Sequence, residues 1–169
     1  MPERLIDIPI ESLPFVDEHS VSVSASAEET WEALLETMGH RFANTFPGRL
    51  AVRQLGCIAK ECRGEPGEIG STIPGFIVTR AVAPAVLALM GEHRYSRYAL
   101  VFRITERSDA PLLLSAETRA EFPGRSGSAY RTLVIGGRGH VIAIRSLLRA
   151  IRRSAEKRAG GFTTPGAGP

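Results

Sequence analysis

Apolar and polar residues alternate, or recur at helical spacing, along most of this chain. The stretch HSVSVSAS (His19 to Ser26) places Val21 and Val23 on one face, as in a short strand. SAEETWEALLETMGH follows. Ser26 and Glu29 have the spacing of a capping box. Trp31, Leu34, Leu35 and Met38 recur at i, i+3, i+4 and i+7, which predicts a helix that buries one stripe and ends at Gly39. A second short helix is expected from His40 to about Phe46.

The middle of the chain reads as β-structure. GFIVTRAVAP and AVLALMGEHR each suggest a strand. In YSRYALVFRITE, Tyr98, Leu100, Phe102 and Ile104 share one face. Arg97, Ala99, Val101 and Arg103 share the other. PLLLSAETRAEF places Leu112, Leu114, Ala116, Thr118, Ala120 and Phe122 together, opposite Leu113, Ser115, Glu117, Arg119 and Glu121. Cross-strand pairing of Arg97 or Arg103 with Glu117 or Glu121 is expected on the polar faces. One apolar and one wet face imply an antiparallel sheet.

After the turn chemistry of FPGRSGS comes the longest periodic segment, from about Ser128 to Lys157. On a helical wheel Leu133, Gly137, Ile144, Leu148, Ile151 and Ala155 cluster, flanked by Tyr130 and Val141. Arg138, Arg145, Arg149, Arg152 and Glu156 oppose them. The phase continues across Gly136, Gly137 and Gly139, which argues for a helix and against a loop. Such a helix would span roughly 45 Å. His140 falls in the apolar sector and so faces the sheet, either as a satisfied core histidine or as a polar group able to bind or protonate a ligand. Each glycine costs a helix interior roughly 1 kcal/mol relative to Ala. At Gly137 the missing side chain would let a strand approach or leave room for a ligand.

Composition adds little to this. The 169 residues are 43% hydrophobic and 23% charged, with a net charge of +3, which suits one ordinary domain. The excess is arginine, because Lys60 and Lys157 are the only lysines. The basic end of the last helix (Arg145, Arg149, Arg152, Arg153, Lys157, Arg158) is better explained by the helix dipole and solvent than by nucleic acid. No signal peptide or bilayer-spanning run is read from the chain, so a cytoplasmic protein without stable membrane insertion is expected. Cys57 and Cys62 lack a second ligand pair and read as reduced thiols. The four histidines show no metal-ligand spacing, so neither a metal nor a cofactor is expected. Gly137-x-Gly139 is not followed by the third glycine of a dinucleotide fingerprint. GEPGEIGST lacks the phosphate-loop lysine, and GRSGS is not a nucleophile elbow.

The order of elements resembles the START-like superfamily, also called SRPBCC, which includes polyketide cyclases and aromatases, lipid-transfer domains and birch-pollen-allergen-like proteins. The segment HSVSVSASAEETWEALLET resembles the family's first strand and helix. Ala27, Glu29, Trp31 and Leu34 fit its pattern, and Ser26 stands where proline is frequent. Ala116 to Arg153 resembles bacterial members of unassigned function. The resemblance covers residues 16–158, with residues 1–15 as an extended arm packing through Leu5, Ile6, Ile8 and Phe15, and residues 159–169 as a flexible tail. It implies an α+β helix-grip fold, in which a curved antiparallel sheet wraps one long C-terminal helix around an apolar cavity.

The candidate lining residues are then Tyr98, Leu100, Phe102, Leu114, Ala116, Thr118, Leu133, Gly137, His140 and Ile144. Arg80 and His93 lie on strands of ambiguous phase. Each residue can equally be ordinary core. Three functions stay open: a carrier or sensor of a small hydrophobic molecule; a cyclase- or dehydratase-like enzyme with His140 as general acid/base and Tyr98 as donor; and an interaction domain with a collapsed cavity. Fold does not choose among them.

Overall fold

Strand β1 (Phe15–Val23) begins four residues before the alternating stretch that starts at His19, and leads into helix α1 (Ala27–Asn44). The structure, a computed structural model, describes residues 2–44, 57, 59, 61–124 and 139–161. The capping box closes as the sequence predicts. The Ser26 amide donates to Glu29 Oε2 at 2.8 Å, and the Glu29 amide donates to Ser26 Oγ at 3.1 Å. Trp31, Leu34 and Met38 are buried on the predicted stripe. Gly39 does not end the helix, and the separate helix expected from His40 is its continuation to Asn44. A Cβ at Gly39 would touch nothing, and packing of the preceding stripe outweighs the modest glycine cost. Asn44 is followed by residues outside those described, including Thr45 and Phe46.

The strands β2 (Thr72–Ile73), β3 (Phe76–Val82), β4 (Val86–His93), β5 (Ser96–Arg107) and β6 (Ala110–Glu121) complete one antiparallel sheet. The order is β1-β6-β5-β4-β3-β2, so the first strand pairs with the last. Helix α2 (Gly139–Gly161) packs on α1 and on β1. Its buried residues are Ile144, Leu147, Leu148, Ile151 and Ala155, which is the predicted stripe plus Leu147. Arg158 reaches back to Glu32 at 3.0 Å and Glu36 at 2.7 Å, tying the far end of α2 to α1. Tyr130, Leu133, Gly136, Gly137 and Arg138 lie outside the described residues, as does the expected helical path across Gly136 and Gly137.

Both helices lie on one face of the sheet. There Leu87, Leu89, Leu100, Phe102, Ile104, Leu112, Leu114 and Ala116 join the helical stripes in a single core. The opposite face differs from the wet surface expected. Residues 2–13 cover part of it, folded into two 3-10 turns (Pro2–Leu5 and Ile10–Ser12) and not as an extended arm. Leu5 and Leu13 are buried there against Ile77, Met90 and Ala99. Ile6 and Ile8 pack against this cluster, but Phe15 is 59% exposed, because it starts the edge strand beyond the segment's reach. The charge pairs do form on this face: Arg97 to Glu121 at 2.8 Å, and Arg103 to Glu117 at 2.6 Å. Glu117 also binds Arg119, whose guanidinium donates to the Leu13 carbonyl at 3.0 Å. The two arginines outweigh burial and hold the Glu117 carboxyl below its ordinary range.

Candidate functional site

Side chains two apart on a strand share a face, so the phase of Val21 and Val23 runs back through His19 to Asp17. Asp17 stands opposite Thr118 and His19 opposite Ala116 on the neighbouring strand. His140 lies one turn before Ile144 on α2, hence on the same helical face. The structure therefore brings four polar groups together over β1 and β6. Two were expected, Thr118 and His140. Two were not, Asp17 and His19, although their alternation with Val21 was legible.

The His140 Nε2 is 3.1 Å from Thr118 Oγ1 and 3.4 Å from Asp17 Oδ1. A carboxylate only accepts hydrogen bonds, so Nε2 is the nitrogen that donates to Asp17. His19 Nε2 lies 3.3 Å from the other oxygen, Asp17 Oδ2. That is within ion-pairing distance, but the geometry does not make a hydrogen bond. His19 Nε2 is buried and makes none with the described residues. The side chains of Asp17, His19 and His140 are between 15% and 21% exposed, so water reaches the cluster only in part.

Tyr98 occupies the same face, two strands over. It stands opposite Ala120, while its neighbour Leu100 stands opposite Thr118. Its hydroxyl turns away from the His140 cluster. It donates to the Gly75 carbonyl at 2.8 Å and lies 3.9 Å from Cys57 Sγ. Its ring meets Phe76 edge-on at 5.2 Å and His93 at 5.5 Å. Gly91 makes this possible, because a Cβ there would lie 2.2 Å from the Gly75 carbonyl oxygen and 2.4 Å from the Tyr98 ring. His93 accepts from the Tyr95 amide through Nδ1, and burial holds its pKa below the ordinary histidine value. Burial likewise pushes the Cys57 thiol up, away from the reactive thiolate.

The remaining candidates divide. Leu100, Phe102, Leu114, Ala116 and Ile144 are core residues, with Phe102 and Leu114 fully sealed. Arg80 is exposed, next to an irregularity in β3. Leu133 and Gly137 lie outside the described residues. A surface hollow of about 330 Å³ opens at the other end of the sheet, lined by residues that include Val23, Ala25, Arg107, Pro111 and Leu112. Among the described residues no group of His, Cys, Asp or Glu is arranged to hold a metal ion, and no helix is long and apolar enough to cross a membrane.

Neither a family model nor a curated protein matches the sequence. Solved structures do match by shape. The di-domain ARO/CYC StfQ from the steffimycin biosynthetic pathway superposes with a TM-score of 0.52 at 14% identity, over 89% of this chain and 53% of that one. The Polyketide_cyc-like protein Cgl2372 from Corynebacterium glutamicum gives 0.51 at 11% identity, over 89% and 96%. Truncated norcoclaurine synthase from Thalictrum flavum gives 0.51 at 14%, over 90% and 98%. At these identities the likeness is one of fold.

Proposed function

From the helix-grip fold that this chain shares with the START-like superfamily, we propose that it binds a small, largely apolar molecule between the sheet and α2. One observation carries this reading: Asp17, His19, Thr118 and His140 form a polar cluster set into an otherwise apolar inner face. Buried polar groups are costly unless satisfied, so a cluster with spare hydrogen-bonding capacity fits a ligand's polar end. Thr118 and His140 supply that contact, with Leu100 and Tyr98 beside them. Phe102, Leu114 and Ile144 form the packed floor. Leu133 and Gly137, the other candidates from the sequence, lie outside the described residues.

A second reading rests on the Asp17–His140 contact. A carboxylate that fixes the tautomer of an imidazole leaves the other nitrogen as a proton acceptor, the arrangement a cyclase- or dehydratase-like acid/base residue requires. Binding is preferred because Tyr98, the second group such chemistry would use, spends its proton on Gly75.

Native mass spectrometry of the protein as purified, with titration of the fluorescent probe N-phenyl-1-naphthylamine, tests the proposal. A retained adduct or a saturable fluorescence rise that weakens in His140→Ala supports it. No adduct and no rise would overturn it.

A further inference from the structure

Asp17 is the one formal negative charge of the cluster. Among the described residues its ion-pairing partners are two imidazoles, His19 and His140, and neither a Lys nor an Arg. The nearby strand arginines are committed to the opposite face: Arg97 to Glu121, Arg103 to Glu117, and Arg119 to Glu117 and the Leu13 carbonyl. His140 takes up one carboxylate oxygen. The other faces His19 Nε2 at 3.3 Å without a hydrogen bond between them, and that nitrogen is buried and unpartnered. Among the described residues no group fills Asp17 Oδ2 with a hydrogen bond, so a donor that reaches the carboxylate can take up that oxygen.

We propose that the ligand carries a protonated amine on its apolar body, and that the ammonium sits on the Asp17 carboxylate. This rests on the ligand-binding reading above and deepens it. An ammonium supplies three donors and a positive charge beside the Asp17 carboxylate. A hydroxyl supplies one donor and no charge, and a carboxylate would be repelled. The surroundings suit an apolar body. Ala116 faces His19 across the strands, Leu100 lies beyond Thr118, and Ile144 follows His140 by one helical turn. Partial exclusion of water makes the charge contact count for more than on an open surface.

Three probes of equal chain length separate the possibilities: octylamine, 1-octanol and octanoate, titrated into the whole protein by calorimetry at neutral pH. Octylamine is expected to bind about tenfold more tightly than 1-octanol, the size of one charge-assisted contact, and more tightly still than octanoate. In Asp17→Asn the preference for the amine should vanish. If octanol or octanoate binds the native protein as well as octylamine, the amine assignment is overturned while the apolar-ligand reading stands. If none of the three binds and N-phenyl-1-naphthylamine gives no signal, both fall. The comparison on the native protein decides the matter even if the variant does not fold.

Discussion

Asp17 and His140 lie 123 residues apart in sequence and 3.4 Å apart in space, one on the edge strand and one on the C-terminal helix. Thr118, between them on β6, is 3.1 Å from the same ring nitrogen. Asp17 and Thr118 together fix the orientation of the His140 imidazole. Thr118→Val keeps the shape and removes the hydroxyl. It should cost about 1 kcal/mol in chemical denaturation, the usual size of one hydrogen bond. It should also shift the ring nitrogen resonances of His140 in long-range ¹⁵N spectra. Unchanged ring resonances would show that the contact does not set the imidazole.

On the opposite face, Glu117 is held by Arg103 and Arg119. Its folded pKa lies below the unfolded value, so it adds stability above the ordinary value of 4.5, and that stability is lost as pH falls through the folded pKa. Glu117→Gln should therefore cost roughly 1–2 kcal/mol at neutral pH, less than a fully buried pair because the arginines are partly exposed. The gap from the native protein should close in acid. A gap that is equal at neutral pH and at pH 3 would mean that the carboxylate charge plays no part.

Residues 2–13 are anchored on the sheet by Leu5 and Leu13 more than by charge. Leu5→Ala should lower stability by about 2–4 kcal/mol, the range for emptying a buried leucine site, and should open the segment to limited proteolysis. Arg4→Ala, which removes only the 2.7 Å surface pair with Glu92, should change stability by less than about 1 kcal/mol. If cleavage is equally fast in both variants, the apolar contacts are not the anchor.

What could be read in the sequence follows from how local each signal is. The capping box, the α1 stripe and the faces of β5 and β6 depend on residues within one element, and period alone places them. The pairing of Arg97 with Glu121 and Arg103 with Glu117 followed once both strands had been phased. The Asp17–His19–His140 cluster depends on β1 lying beside β6 and under α2. No local period encodes that, even though the phase of Val21 would have carried Asp17 and His19 onto the inner face. The alternation of β5 puts Tyr98 on the inner face, but its hydroxyl direction is not legible, because the acceptor is a backbone carbonyl in the turn between β2 and β3. The cover over the outer face is hidden from local pattern for a similar reason: the segment that forms it lies at the other end of the chain.

Gly91 tests that close approach most directly. Its hydrogen faces the Gly75 carbonyl and the Tyr98 ring, and a methyl group there would lie far inside contact distance of both. Tyr98 could swing its ring aside, but the Gly75 oxygen is backbone, and Gly75 itself adopts a φ of 90° that other residues resist. Gly91→Ala should therefore destabilise the fold by about 2 kcal/mol or more, the range for an overpacked core. Tyr98→Phe alone should cost only about 1 kcal/mol, for the hydrogen bond to Gly75. In the double variant Gly91→Ala with Tyr98→Ala the ring is gone and the carbonyl clash remains, so stability should not recover to the level of Tyr98→Ala alone. Full recovery, measured by denaturant midpoint, would show that the ring and not the β2–β3 turn excludes a side chain at residue 91.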